Sequence, residues 1–349
     1  KQKTAYEIRP RDWSSDVCSS DLDMRLFPYR WRIVFLLFTA TSINYLDRQL
    51  IGLLKPLLEK EFAWTESDFA RMVMAFTAAY ALGLLLGGRW IDQLGTRLGY
   101  ALSITLWSIA AILHAFARNV TSFTLFRGLL GLGESGNFPA AMKAVAEWFP
   151  KKERGLATGL FNAGTSVGVV LALLLTPLIL QFGGWQDVFW ITGMLGFVWL
   201  IYWWKYYNLP HQHPRLSWEE KKFLEESRAE EQEPSLTAPV QWIRLFRLPQ
   251  TWAYIAGKAF IDPIYWFFLF WLPSYFSTRF ELDLKKPSLP LMIIYLSTTL
   301  GSILGGYVSS YLIGKNWETL KARKAALFLF ASLEVAVILA RSEEHTSEL

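Results

Sequence analysis

Four stretches of 17 to 32 residues contain no Asp, Glu, Lys or Arg: 98–117, 155–186, 188–204 and 287–314. Crossing a bilayer takes ~20 mostly apolar residues. In lipid each backbone amide needs an internal partner, so such runs form helices or closed barrels. Barrel strands alternate apolar and polar residues over ~10 positions, and these runs do not. Extending the reading predicts nine membrane helices, centred near residues 42, 79, 108, 131, 167, 198, 263, 300 and 332. Only 19% of residues are charged, against roughly 25% in soluble domains. With 52% hydrophobic residues the chain is not disordered, and a single cysteine, Cys18, excludes a disulfide scaffold. A soluble bundle of buried helices is the bland alternative, and nine such runs between short charged loops argue against it.

Both ends read differently. Residues 1–22 and 341–349 resemble conceptual translations of sequencing-adapter DNA and are set aside as artefactual tails. The rest has no cysteine and is expected to be a fragment. With its N-terminus placed in the cytoplasm, inner segments carry 20 Lys and Arg and outer ones seven, Lys55 among the latter. That bias fits the positive-inside rule and explains the basic pI without nucleic acid. The polar stretch 208–250 is expected to link two membrane halves. There Ser217 and Glu220 predict a capping box, with a solvated surface helix over 218–229. Gly83-x-x-x-Gly87-Gly88 recurs as Gly301-x-x-x-Gly305-Gly306, 218 residues later. Small residues at that spacing let helices approach, and repeated halves are common in transporters.

Charges inside the spans stand out: Arg48, Arg127 and Lys258, with Asp47, Glu134, Asp262 and Glu334. Each costs about 2.5–3.5 kcal/mol on the lenient insertion scale, so it needs a partner or a task. Ion pairs that merely join helices are the plain reading. Arg127 and Glu134 are two helical turns apart on one side, ~10 Å along the axis, a length that suits a sugar acid between them. Lys258 and Asp262 are spaced to pair, whereas Asp47 and Arg48 diverge by about 100°. Guanidinium matches a carboxylate and keeps its charge when desolvated. A buried acid beside it can exchange a proton. The set therefore suits anion binding coupled to proton movement.

Gly88-Arg-Trp-Ile-Asp92-Gln-Leu-Gly95-Thr-Arg97 resembles the signature loop of the major facilitator superfamily, with Asp92 expected to cap a helix and Arg97 to balance it. The second-half equivalents are Gly306, Ser310 and Lys315, without the acid. Asn44-Tyr45-Leu-Asp47-Arg48, Arg127-x-x-x-Gly131-x-Gly133-Glu134-Ser-Gly-Asn-Phe-Pro139 and Glu147-Trp-Phe-Pro-Lys-Lys-Glu153-Arg154 resemble its anion:cation symporter family. Asn162-Ala-Gly164 and the run from Lys258 through Asp262, Trp266 and Trp271 to Pro273 resemble bacterial hexuronate transporters.

The resemblance implies an all-α membrane protein with two six-helix bundles and alternating access, here truncated after about nine helices. Residues 23–207 would form the first bundle, 208–250 a cytoplasmic linker, and 251–340 the first three helices of the second. It implies substrate contacts at Tyr45, Arg48, Tyr80, Arg127, Asn162 and Lys258. Proton coupling falls to Asp47, Glu134 and Asp262, and a gating loop to Gly88, Asp92, Gly95 and Arg97. Thr165 stands where sugar-acid symporters keep a Gln nearby, and Lys258 replaces an Arg, losing the bidentate fork.

The leading function is import of a hexuronate, glucuronate or galacturonate, by proton symport across a bacterial inner membrane. An aldonate or aldarate is the near competitor. Organophosphate exchange would want cations without titratable acids, and a transporter-like receptor would bind without flux. No nucleophile–base spacing or metal-ligand cluster supports an enzyme, and His211 and His213 are expected to be solvated. No cofactor beyond protons, no metal and no nucleic acid are expected. The expected partners are the sugar acid and the bilayer, with the protein a monomer.

Overall fold

The computed structural model describes residues 28–230, 246–279, 286, 288–315 and 317–344. The tail 1–22 lies outside the described residues, as do 231–245 of the linker and 345–349. Among the described residues there is no strand. Helices α1 (Tyr29–Phe62), α2 (Glu66–Leu94), α3 (Thr96–His114), α4 (Val120–Glu134), α5 (Asn137–Trp148), α6 (Lys151–Phe182) and α7 (Trp185–Tyr206) come first. A turn of 3-10 helix (Pro210–Gln212) leads to α8 (Trp218–Glu230), then α9 (Pro249–Arg279), α10 (Leu289–Gly314) and α11 (Thr319–Glu344). The last of these runs four residues into the 341–349 tail.

Five described helices are long and apolar enough to cross a membrane: Glu66–Leu94, Thr96–His114, Glu153–Phe182, Trp185–Tyr206 and Pro249–Ser277. α1 is 34 residues long, but Asn44, Asp47, Arg48 and Gln49 in its middle lower its apolarity. It packs chiefly on α6 and also on α7 and α9; α2 packs on α4, and α3 on α4 and α7.

Short loops carry their own stop and start signals. Thr65 and Asp68 cap α2 reciprocally, with Asp68 N–H donating to Thr65 Oγ1 (3.2 Å) and Thr65 N–H to Asp68 Oδ2 (2.9 Å). Asn119 and Ser122 repeat the device at α4. Between α2 and α3 the chain turns on Gly95 at φ +78°, a left-handed conformation that favours glycine. Side-chain-free positions set the helix spacing. A Cβ on Gly131 would lie 2.3 Å from the Phe76 carbonyl oxygen, so α2 and α4 touch backbone to backbone. In the predicted repeat, a Cβ on Gly83 would collide with Ser135 Oγ, whereas one on Gly301 meets nothing within 4 Å. Among the described residues Gly301 therefore has no close neighbour of that kind, and the side positions of 305 and 306 lie outside them.

The span expected near residue 131 is two helices. Pro139 has no N–H to bond the Ser135 carbonyl, and α4 ends at Glu134. The break frees carbonyls at membrane depth, where each needs a donor. Ser135 Oγ donates to Leu132 O and Ser103 Oγ to Gly133 O, both at 2.6 Å. Across the break, Tyr100 Oη donates to Asn137 Oδ1 (2.6 Å) and Asn137 Nδ2 to Thr41 Oγ1 (3.3 Å).

The start of the linker folds back on the bundle end that carries Tyr29. Ser217 Oγ accepts from Glu220 N–H (3.1 Å), but the Glu220 carboxylate completes no capping box. It accepts instead from the backbone N–H of Tyr29 (2.9 Å) and Arg30 (3.1 Å), and pairs with the Arg30 guanidinium (3.2 Å). These are the free amides of the first turn of α1, where negative charge is favoured. Arg30 also pairs with Glu153 at the start of α6 (2.9 Å). His213, expected in solvent, is buried. Its ring lies 4.3 Å from that of Tyr29 and 5.5 Å from that of Trp148. Tyr29, Trp148 and Tyr207 form an apolar floor there, and covering it outweighs hydrating the ring.

Lys55 is a second correction. Read as an outer-loop marker, it is 1% exposed inside α1. It pairs with Glu59 and Glu66 (both 2.6 Å) and meets Ser274 Oγ of α9 at 3.2 Å. A flexible butyl stem lets its ammonium reach carboxylates at the helix end.

Candidate anion-binding site

Arg48 and Asp47 project from the middle of α1, Arg127 and Glu134 from α4, and all four are buried. The Gly131 contact brings α2 against α4, which places Phe76 and Tyr80 in the same layer. Arg48 Nε and Nη2 both donate to Glu134 Oε2 at 2.8 Å, and Nη2 also reaches Asn44 Oδ1 at 3.3 Å. The guanidinium lies 4.4 Å from the Tyr45 ring, 4.7 Å from Tyr80, 5.0 Å from Trp266 and 5.2 Å from Phe76. Aromatic faces stabilise a desolvated cation. Arg48 Nη1 and Glu134 Oε1 have no hydrogen-bond partner among the described residues.

Arg127 is more exceptional. It is fully buried, and none of its three nitrogens has a hydrogen-bond partner among the described residues. The rings of Phe76 (4.5 Å) and Phe270 (5.6 Å) lie against its guanidinium. Buried guanidinium groups are normally paired, because isolated burial of charge is expensive. Both Asp47 carboxylate oxygens are likewise buried without a partner within hydrogen-bonding distance, although Thr192 of α7 lies alongside. A constellation with unused donors on Arg127 and Arg48, walled by aromatic rings, can receive a carboxylate and hydroxyl groups.

The predicted residues therefore divide. Tyr45, Asp47, Arg48, Tyr80, Arg127 and Glu134 come together in one buried layer. The expected spacing of Arg127 and Glu134 around a ligand does not hold, since Glu134 turns to Arg48 instead. Lys258 and Asp262 do not join the layer: they pair with each other at 2.7 Å, with side chains 51% and 40% exposed. Their one-turn spacing makes that local pair available without any approach to α1 or α4. Asn162 sits on an exposed face of α6, facing away because Gly164 and Gly168 take the contact with α1.

At the predicted gating loop, Asp92 pairs with Lys143 (2.9 Å) rather than being balanced by Arg97, which donates to Trp204 O at 2.8 Å. A Cβ on Gly88 would meet nothing within 4 Å among the described residues. Glu334 and the second-half positions Gly306 and Ser310 have side positions outside the described residues.

Two members of the layer escaped the sequence reading, Phe76 and Phe270. A third, Trp266, had been noticed only as part of a motif. Aromatic residues are too abundant in this chain, with 25 Phe and 17 Trp, for any one to stand out. The useful signal was spacing: Trp266 and Phe270 are one turn apart on α9, as Phe76 and Tyr80 are on α2.

Residues 37–342 of this helical bundle match the Major Facilitator Superfamily. The chain belongs to that superfamily. The galacturonate transporter of Dickeya chrysanthemi is 31% identical over 280 residues, covering 80% of this chain and 81% of that protein. The hexuronate transporter of Escherichia coli strain K12 is 29% identical over 279 residues, covering 80% and 65%. The fold is similar to the crystal structure of a bacterial homologue of the human lysosomal transporter Spinster, inward-facing and unoccupied. The TM-score is 0.61 at 19% identity, over 82% of this chain and 63% of that one. The chain thus spans less than two thirds of that solved protein, and the likeness concerns the fold. These relatives are named as transporters, in keeping with the expectation that the chain is no enzyme.

Proposed function

We propose that this chain serves proton-coupled import of a sugar acid, a hexuronate such as galacturonate or glucuronate, by alternating access. The observation that carries this reading is the Arg127 guanidinium, buried with every nitrogen unpartnered beside the Arg48–Glu134 pair. Arg127 supplies a free fork for the cargo carboxylate. Tyr45 and Tyr80 flank Arg48 and offer hydroxyls to the sugar.

The charge balance explains the proton. Two guanidiniums and two carboxylates sum to zero when all are ionised. An anion entering alone leaves a net negative charge in a low-dielectric centre, which is costly. A proton taken up on Glu134 or Asp47 restores neutrality. Protonation of Glu134 also weakens its hold on Arg48 Nε and Nη2, freeing a second fork for cargo. Release of the anion reverses both steps. Asp47, with no partner, is the reserve proton site next to Thr192.

In this reading the N-terminus is cytoplasmic, following the lysine and arginine bias, and the protein works as a monomer in a bacterial inner membrane with protons as coupling ion and no cofactor. The test is labelled galacturonate uptake into vesicles holding the open reading frame. Accumulation should follow an inward proton gradient. Equal accumulation with the gradient collapsed would remove proton coupling. Galactonate or galactarate taken up in preference to galacturonate would move the cargo to the open-chain acids.

A further inference from the structure

The two arginines come from the first half of the chain, but each also faces an aromatic ring from α9. Trp266 lies 5.0 Å from the Arg48 guanidinium, and Phe270 lies 5.6 Å from that of Arg127. The two rings are one helical turn apart and stacked, with centroids at 5.8 Å and planes at 24°. Trp266 continues the wall across to Tyr80 (6.0 Å) and Phe76 (6.2 Å). The second-half contribution to the layer thus includes a flat apolar surface on Trp266 and Phe270, and the Lys258–Asp262 pair takes no part in it.

Trp266 is the least buried of the rings around Arg48: it is half-buried, whereas Tyr45, Phe76 and Tyr80 are at most 9% exposed. Its indole N–H has no partner among the described residues. Arg48 already has its charge partner in Glu134, so the indole is not needed to neutralise it. What a large, flat, partly exposed ring can do is stack. A pyranose ring presents a rigid, flat patch of C–H groups to such a face, and aromatic rings hold such patches through dispersion and weak C–H contacts. An open-chain sugar acid has no such patch, and its freely turning carbons lose more conformational entropy on being pressed flat.

We infer that Trp266 is a specificity-determining residue, the surface on which the ring of a cyclic sugar acid lies while its carboxylate engages the arginines. The site is thereby selective for uronates in ring form over open-chain aldonates and aldarates. This rests on the sugar-acid function proposed above and narrows it.

The experiment is calorimetric binding of galacturonate and of galactonate to the purified full chain, unmodified and as Trp266→Leu and Trp266→Phe. Trp266→Leu should weaken galacturonate by about tenfold, the scale of one good aromatic contact, and leave galactonate within about twofold. Trp266→Phe, which keeps a smaller ring, should fall between. Equal losses for the two ligands would assign Trp266 a structural role and overturn the inference, as would unchanged binding of galacturonate. An unmodified chain that binds galactonate more tightly would overturn it too. Binding of neither acid by the unmodified chain would fail the function itself, a result distinct from any in the variants.

Discussion

Two clusters of opposite character lie on α1, about twenty residues apart. At its first turn, Arg30 has Glu153 and Glu220 as partners, and Glu220 in turn serves two backbone amides. In its middle, Arg48 bonds one carboxylate oxygen of Glu134, and the Asp47 carboxylate and the Arg127 guanidinium have no hydrogen-bond partner within bonding distance among the described residues. The residue types are the same. The first cluster is satisfied at the edge of the fold, where every group contributes to holding the linker in place. The second is under-satisfied in the interior, where an orphaned charge is most expensive. Under the proposed function an incoming ligand completes that arrangement, and incomplete hydrogen bonding then separates the proposed binding centre from the fastening.

Changes to the two clusters should therefore separate activity from stability. The largest effect is expected from Arg127→Met. Losing a buried charge contact to cargo is worth about 2–5 kcal/mol, so galacturonate uptake should fall by about 100-fold or more. The melting temperature in detergent should hold or rise, because an unpaired buried charge is exchanged for an apolar chain of similar volume. A large drop in melting temperature would return Arg127 to the structural class.

Glu134→Gln lies between the extremes. The Arg48 guanidinium loses its counter-charge, and stability should fall by about 3 kcal/mol, read from denaturation. Counterflow exchange of galacturonate should persist while gradient-driven uptake is lost. Intact accumulation in a proton gradient would remove Glu134 from coupling.

For the fastening the order inverts. Glu220→Ala removes a cap and an ion-pair partner from α1, costing about 1 kcal/mol. Hydrogen exchange in the first turn of α1 should quicken, and uptake should stay within about twofold.

The smallest expected effect is pH-dependent. His213 Nδ1 accepts the Arg215 N–H (3.2 Å) and Nε2 faces Tyr206 O (3.2 Å), a pairing that needs a neutral ring. Burial, together with the positive charge of Arg215, holds its pKa below the ordinary 6.5, against the opposing pull of the Tyr206 carbonyl and Glu220. The undocked ring then binds protons more readily than the docked one. The contribution of His213 to docking is thus fully present above pH 6.5 and is lost as pH falls below it. Spin-label distances between positions 205 and 226 should lengthen on acidification in the parent protein and not in His213→Phe.

Much of this was legible in the sequence. Uncharged runs specify membrane helices because lipid leaves the backbone no other partner, and all nine predicted centres fall within helices, although the span around 131 is broken in two. Asp47, Arg48, Arg127 and Glu134 were legible because charges in an apolar run stand out, whereas Tyr45 and Tyr80 came only from the family resemblance. The break after Glu134 was also present in principle, because Pro139 cannot donate. Lys258 and Asp262 misled for an instructive reason: intramembrane charge signals a need for a partner, and theirs is one turn away. His213, Glu220 and Lys55 were misplaced because hydropathy counts charge without knowing what lies across the gap.

The sequence by itself determined that this chain crosses a membrane as helices and that a few ionisable groups are carried into its interior, since both follow from local transfer free energies. Tertiary structure alone decided who partners whom. Glu134 answers Arg48 across 86 residues, Arg127 is left open, and α9 contributes rings where its charges were expected. Those choices depend on helix spacing and rotation, which the backbone contacts at Gly131 and Gly168 set and which no local preference encodes.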